Sequence, residues 1–300
     1  MADHPSIGDP RLAELRRRYA AYDGPLAARS QWSDEFVGRE LSFGTFRGDN
    51  CFVWQRRYFG EDERSKYLRY TGYVAGLDRL GLLDRLGEDG AFGCETHSFA
   101  GRPTVSRDLL DSVNEIYFLD RHLGLLGRRG VRILDIGAGY GRLAHRMTQA
   151  VPGLASYTCV DGVAEATYLC EYYLGFRQAG EVARTVPLDE VRERIGPGDV
   201  DVAVNIHSFS EMPYAAAAGW IAFLAEIRTP LILVVPNYGA HLTACEEIVD
   251  GVETRTLPLL PAFEEHEYRL VVREPTLRDP EVGELIGTGN HFLLFARAAS

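Results

Sequence analysis

Residues 131–150, Val-Arg-Ile-Leu-Asp-Ile-Gly-Ala-Gly-Tyr-Gly-Arg-Leu-Ala-His-Arg-Met-Thr-Gln-Ala, constrain the fold more than any other stretch of this chain. Val131, Ile133, Leu134 and Ile136 form a nearly continuous apolar run, the pattern of a strand covered on both faces by helices. Gly137, Gly139 and Gly141 then supply positions where positive φ is cheap and where no Cβ bars a ligand from the main chain. Leu143, Ala144, Met147 and Val151 recur at helical spacing, so a helix starts at the glycines and aims its free N–H groups at whatever the turn holds.

The turn reads Gly-x-Gly-x-Gly, unlike the Gly-x-Gly-x-x-Gly of dinucleotide folds, and Asp135 stands two residues ahead of it. A pyrophosphate wants an uncluttered helix N-terminus, whereas an acid at this place suits a cationic group. The next apolar run, 157–161, closes on Asp161, 26 residues after Asp135. An acid at the end of the second strand is placed to accept two ribose hydroxyls. It also reads as the N-cap of a helix over 163–176, and both readings stand at this point.

Strands and helices keep alternating, the signature of a doubly wound parallel sheet. A weak third strand is expected over 181–186, a fourth over 200–206, and a fifth over 231–235 after an alanine-rich helix at 214–227. The runs 266–272 and 291–296, with no clear helix between them, read as an antiparallel pair. The expected fold is therefore α/β, Rossmann-like, with a mostly parallel seven-stranded sheet and an antiparallel C-terminal edge. Ahead of it lie a helix over 11–22, a segment over 30–75 crowded with aromatics, a short helix over 77–86 and another over 108–126. The aromatics, among them Trp32, Phe46, Phe52, Trp54, Tyr58, Tyr67 and Tyr70, are expected mostly to pack, with a few lining a pocket. Two units follow: a mainly helical cap at 1–104 and an α/β domain at 105–300.

A chain of 300 residues with 46% apolar content can build such a core, and its net charge of −11 argues against nucleic acid as partner. Five scattered cysteines without paired spacing read as reduced thiols, and no apolar run approaches a membrane span. These features predict a cytoplasmic protein with a small-molecule partner, free or as a homodimer.

The fourth strand runs into Asn205-Ile-His207-Ser208-Phe209-Ser210-Glu211-Met212. Ligands of open α/β sheets sit outside the carboxyl ends of the strands, so these residues share a crevice with the glycine turn. A hydroxyl acceptor must lose a proton during attack on an electrophile, and an imidazole can take it; His207 is the candidate base, or else a hydrogen-bonded strand-end histidine. Glu211 is placed to hold the imidazole tautomer, to bind an acceptor hydroxyl, or to be first-turn charge behind a Ser210 cap. Asn237 and Tyr238, after the fifth strand, face the same crevice with Ser208. His291 is a weaker second base, and His241 reads as an exposed residue at a helix start.

The turn resembles motif I of class I S-adenosylmethionine (SAM)-dependent methyltransferases. With the runs Val105-Ser-Arg-Asp-Leu-Leu and His-Ser-Phe-Ser-Glu-Met, it looks like the bacterial sugar O-methyltransferases of polysaccharide and antibiotic pathways, over roughly residues 100–240. The resemblance implies SAM as cofactor, contacted through Gly137, Gly139, Tyr140 and Asp161, with base or acceptor contact through His207 and Glu211. Asp135, Ala138, Gly141, Gly162 and Asn205 complete the candidate cofactor set. Aminoglycoside N-methyltransferases are similar too, so the acceptor atom stays open between O and N, and a non-catalytic scaffold keeping the cofactor fold is the rival from another class. The third strand ends without an acid for the adenine amine, leaving backbone groups or Asp189 to serve. Metal-using relatives carry an Asp after the fourth strand and Asp-Asn after the fifth; here those places hold His207-Ser208 and Pro236-Asn237-Tyr238, so no metal is expected.

Overall fold

The structure, a computed structural model, describes residues 4–26, 32–53, 62–237, 239–249, 252–286 and 289–298. Its N-terminal part holds α1 (Pro10–Ala21), α2 (Asp34–Glu40), α3 (Glu63–Leu77), α4 (Leu82–Leu86) and α5 (Arg107–Leu123). There follow β1 (Val131–Ile136), α6 (Arg142–Ala150), β2 (Leu154–Val160), α7 (Ala164–Phe176), β3 (Ala183–Thr185), α8 (Val191–Arg194), β4 (Val202–Ile206), α9 (Tyr214–Glu226) and β5 (Leu231–Val235). The chain closes with β6 (Thr243–Val249), β7 (Val252–Pro258), α10 (Leu260–Glu265), β8 (Tyr268–Pro275), α11 (Pro280–Ile286) and β9 (His291–Arg297).

Seven strands form one sheet in the order β3-β2-β1-β4-β5-β9-β8. The first five pair in parallel, and β9 runs antiparallel to both β5 and β8. This is the doubly wound sheet with an antiparallel C-terminal edge that the sequence predicts. Strand alternation splits β1 between two cores. Val131 and Ile133 pack with α5 and α6 on one face, and Leu134 and Ile136 pack with α1 and α9 on the other. Chain order reverses between β2 and β4 around β1, and the loops after β1 and β4 part there to leave a crevice.

Three local expectations are corrected. A helix, α11, does separate β8 from β9; it has seven residues, an interior Gly283 and two buried apolar side chains, too little periodicity to read, and the Asp279 carboxylate caps it by accepting from Glu281 N and Val282 N. The predicted 77–86 helix is two pieces, because Asp78 leaves helical geometry after α3 and its carboxylate accepts Leu82 N and Leu83 N to start α4. The β6-β7 hairpin, a separate two-stranded sheet, occupies the place where His241 was read as a helix start; His241 is exposed just ahead of β6.

The N-terminal part is knitted to the sheet. Arg11 pairs with Glu171 and Arg18 with Asp189. Phe46 stacks on Phe92 and meets Tyr140 and Tyr173 edge-on. Fully buried Arg47 donates to Glu88, which also receives Arg146, both at 2.9 Å. All five cysteines are buried and none is in a disulfide. Among the described residues, no helix is long and apolar enough to cross a membrane.

Candidate active site

The glycine turn is held from both sides. Gly137 N and Ala138 N donate to the Val160 carbonyl at the end of β2, and Gly141, at φ +86°, caps α6. Gly137 has φ +75°, and a Cβ there would meet Ser208 Oγ at 1.8 Å, so the turn and the loop after β4 touch where only glycine fits. Gly139, at φ +56°, is the opposite case: nothing lies within 4 Å of its would-be Cβ, and that open space is the cavity. Gly139 N donates to Asp161 Oδ2 at 2.9 Å, while Oδ1 accepts Val163 N at 2.9 Å. Asp161 is therefore a brace for the turn and the N-terminus of α7 as well as a carboxylate on the cavity wall.

The cavity, open to one side, has a volume of about 240 Å³, well beyond the ~10–15 Å³ that admits a single water. It brings together Asp135, Gly137, Ala138, Gly139, Tyr140, Asp161, Gly162, His207, Ser208, Glu211 and Asn237 from the predicted set. Asp135 is buried and accepts the Tyr157 hydroxyl at 2.8 Å. Burial pushes its carboxyl up to about 7, against the opposing hydrogen bond from Tyr157. A cation brought into the cavity would favour the ionised form.

His207 follows β4 at φ +72°, ψ −35°, a backbone conformation that non-glycine residues seldom hold. Its N–H donates to the Val235 carbonyl, which fixes the strained residue against β5. Its Nδ1 is buried and meets no hydrogen-bond partner among the described residues. Burial, and then the Arg107 guanidinium, push the imidazole down to about 4, so the ring is neutral at pH 7 and able to accept a proton. Beside it, Glu211 Oε1 accepts the Asn237 amide at 2.9 Å, and Asn237 N donates to Ser210 Oγ.

Sequence reasoning missed the facing wall. Arg107 and Asp111, on the first turns of α5, line the cavity and also a small adjoining void that His207 shares. Tyr70 donates to Asp111 Oδ1 at 2.5 Å, and Arg107 Nε lies 3.4 Å from Asp111 Oδ2. Arg107 belongs to the Val105-Ser-Arg-Asp run, and that run was the available signal. Of the early aromatics, Trp32 and Phe52 line the cavity with ring centroids 5.2 Å apart, whereas Phe46, Tyr67 and Tyr70 are buried; Trp54 and Tyr58 lie outside the described residues.

Other predicted residues fall elsewhere. Asn205 is fully buried, its amide spent on the Ile136 carbonyl and Phe209 N, so it ties β4 to β1 and does not line the cavity. The Tyr140 hydroxyl points inward to Asp108 and receives Arg47 Nε, so this residue, although on the cavity lining, has its polar atom spent inside the fold. Gly141 works through the start of α6, with Cys170 Sγ 2.9 Å from its would-be Cβ. Asp189 is taken by Arg18, away from the cavity, so an adenine amine would have to find backbone groups. His291 opens β9 with Nδ1 on the Gly289 carbonyl and does not reach the cavity. Tyr238 lies outside the described residues.

No family model and no curated protein matches this chain. Among solved structures, it is similar to the [4+2]-cyclase SpnF at 13% identity over 79% of this chain and 96% of that one, with a TM-score of 0.48. It is also similar to the magnesium protoporphyrin IX methyltransferase ChlM of Synechocystis PCC 6803, solved with bound SAM, at 13% identity over 76% and 97% of the two chains and a TM-score of 0.42. A SAM-dependent methyltransferase from Aquifex aeolicus gives 13% identity, 61% and 88% coverage and a TM-score of 0.43. Likeness at this level does not bear on chemistry, which has to come from the chain's own residues.

Proposed function

We propose that this chain is a SAM-dependent methyltransferase that methylates a hydroxyl of a sugar or sugar-containing small molecule, with residues 105–300 holding the cofactor and residues 1–104 shaping the acceptor side. The observation that carries this reading is the placing of neutral His207 and the open face of Gly139 on one cavity.

The residues fit the cofactor. Gly139 leaves main chain bare, the Asp161 carboxylate is at hand for ribose hydroxyls, and the Asp135 carboxyl suits a cationic centre. Bound there, SAM would supply an electrophilic methyl group. His207 accepts the proton of the acceptor hydroxyl as that oxygen attacks. A base as weak as this one contributes toward the low end of the usual ~10²–10⁴-fold range. Glu211, oriented by Asn237, and Asp111, oriented by Tyr70, accept neighbouring hydroxyls, and Arg107 offers donors to the oxygens between them. Trp220 and Met212 give an apolar patch for a ring face.

The same two carboxylates favour a second reading, N-methylation of an amino sugar, because a protonated amine would be drawn to Asp111 and Glu211. One experiment separates them: turnover of methyl glycosides and of aminoglycosides with SAM, compared between the wild-type chain and His207→Ala. Loss by about two orders of magnitude on hydroxyl acceptors supports the base; full activity of the variant on an amine overturns it. Calorimetric titration with S-adenosylhomocysteine tests the cofactor independently, and no binding at millimolar ligand would leave a scaffold.

A further inference from the structure

We propose that Glu63, Glu95 and His97 form a site for one divalent transition-metal ion, of which zinc is the best match, outside the cavity described above. One donor atom from each residue lies within 4.8 Å of the other two. His97 Nε2 stands 3.6 Å from Glu63 Oε1. Such a gap is long for a hydrogen bond, yet near the ~3.4 Å that separates neighbouring ligands of a tetrahedral zinc with bonds of about 2.0–2.1 Å.

The imidazole is built into place. The backbone of His97 exchanges two hydrogen bonds with Val105, at 2.8 and 2.9 Å. Its ring stacks on Tyr67 with centroids 3.7 Å apart, and the side chain is only 10% exposed. Glu95 and His97 are two residues apart in sequence, with His97 in a bridge to Val105, and Glu63 comes from the first turn of α3. Arg64, one of the cations on the same turn with Lys66, donates to the Ser98 carbonyl and lies over Phe99. Two carboxylates and an imidazole give the mixed oxygen and nitrogen set that zinc accepts, with a fourth position for water. The donor atoms, spread over up to 4.8 Å, have to close by about an ångström, which half-buried glutamate side chains can do.

An ion there would pin the start of α3 to the 95–105 segment. Two turns along α3, Tyr70 holds Asp111, so the clamp would steady the acceptor wall without taking part in chemistry. The test uses the full-length chain stripped with a chelator, titrated with Zn²⁺ by calorimetry and with Co²⁺ by visible absorption. The expected result is one equivalent bound, an intense tetrahedral Co²⁺ spectrum and a thermal midpoint raised by Zn²⁺. Affinity should fall at least tenfold in His97→Gln and in Glu95→Gln, and the second substitution, on a half-buried side chain outside the Tyr67 stack, guards against misfolding of the first. Circular dichroism and titration with S-adenosylhomocysteine confirm that each variant is folded. No stoichiometric binding, or binding unchanged in folded Glu95→Gln and His97→Gln chains, overturns the site.

Discussion

Ser208 Oγ stands 1.8 Å from the point where a side chain at Gly137 would begin. The glycine turn after β1 and the loop after β4 are thus fitted to one another before any ligand arrives. Gly137→Ala should destabilise the chain by about 2–4 kcal/mol, combining the clash with a positive φ that alanine resists. Adding Ser208→Gly should return the steric part and leave roughly 1 kcal/mol of backbone strain. Urea unfolding of the four chains gives the coupling directly; additive losses would mean that the loops do not touch.

Gly139→Ala makes the contrasting case. Its Cβ would enter open cavity and meet no protein atom, so the fold should lose only the cost of the positive φ, about 1 kcal/mol. Affinity for S-adenosylhomocysteine should drop tenfold or more by calorimetry. Unchanged affinity would place the cofactor elsewhere.

Asp135 titrates near neutrality because the folded chain buries it. Its folded pKa, about 7, lies above the ordinary 3.8, so the folded state holds this proton more tightly than the unfolded state does. The contribution to stability is therefore greatest below pH 3.8 and declines as pH rises to 7. Asp135→Asn should remove that decline, making the free protein more stable at pH 8 by on the order of 2–4 kcal/mol, while weakening the binding of SAM. Denaturation at pH 5 and pH 8 measures the first effect and calorimetry the second; equal stability of the two chains at pH 8 would contradict the burial cost.

For His207 the sign is reversed. Its folded pKa, about 4, lies below the ordinary 6.5, so the stability gained from a neutral ring is present above pH 6.5 and is lost as pH falls to 4. The acid limb of kcat/KM, which reports the free enzyme, should bend near pH 4 and not near 6.5. His207→Ala should abolish that limb.

Glu88 is held at about 2: burial would raise it, but Arg47 and Arg146 outweigh burial. Its depressed pKa stabilises the fold above the ordinary 4.5 and the gain fades as pH falls to 2. Arg47→Met should cost about 3–5 kcal/mol, since it leaves the buried carboxylate with one partner fewer, and should move acid unfolding to higher pH. A loss under 1 kcal/mol would show that Arg146 alone suffices.

The sheet was legible because buried parallel strands are written as apolar runs, and the strand-to-helix turn because three closely spaced glycines follow one such run and precede a helical pattern. The β6-β7 hairpin was not, since Thr243-Ala-Cys-Glu-Glu buries only Ala244 and Cys245 and carries no period-two apolar stripe. Arg107 and Asp111 escaped notice for a different reason. They lie on a helix whose buried face dominates its pattern, and only the tertiary placing of α5 over the end of β4 gives them a cavity to line. Asn205 shows the converse: this polar residue, next to last in β4, is fully buried, and its amide ends as a tie between strands.

The twisted backbone at His207 sets up a conflict that selection on this chain would have to resolve. Glycine would sit at φ +72° without strain, so His207→Gly should unfold at a higher temperature than the parent while turning over poorly. Thermal adaptation would press toward losing the imidazole, and a relative found with glycine at this position would be expected to have given up proton abstraction.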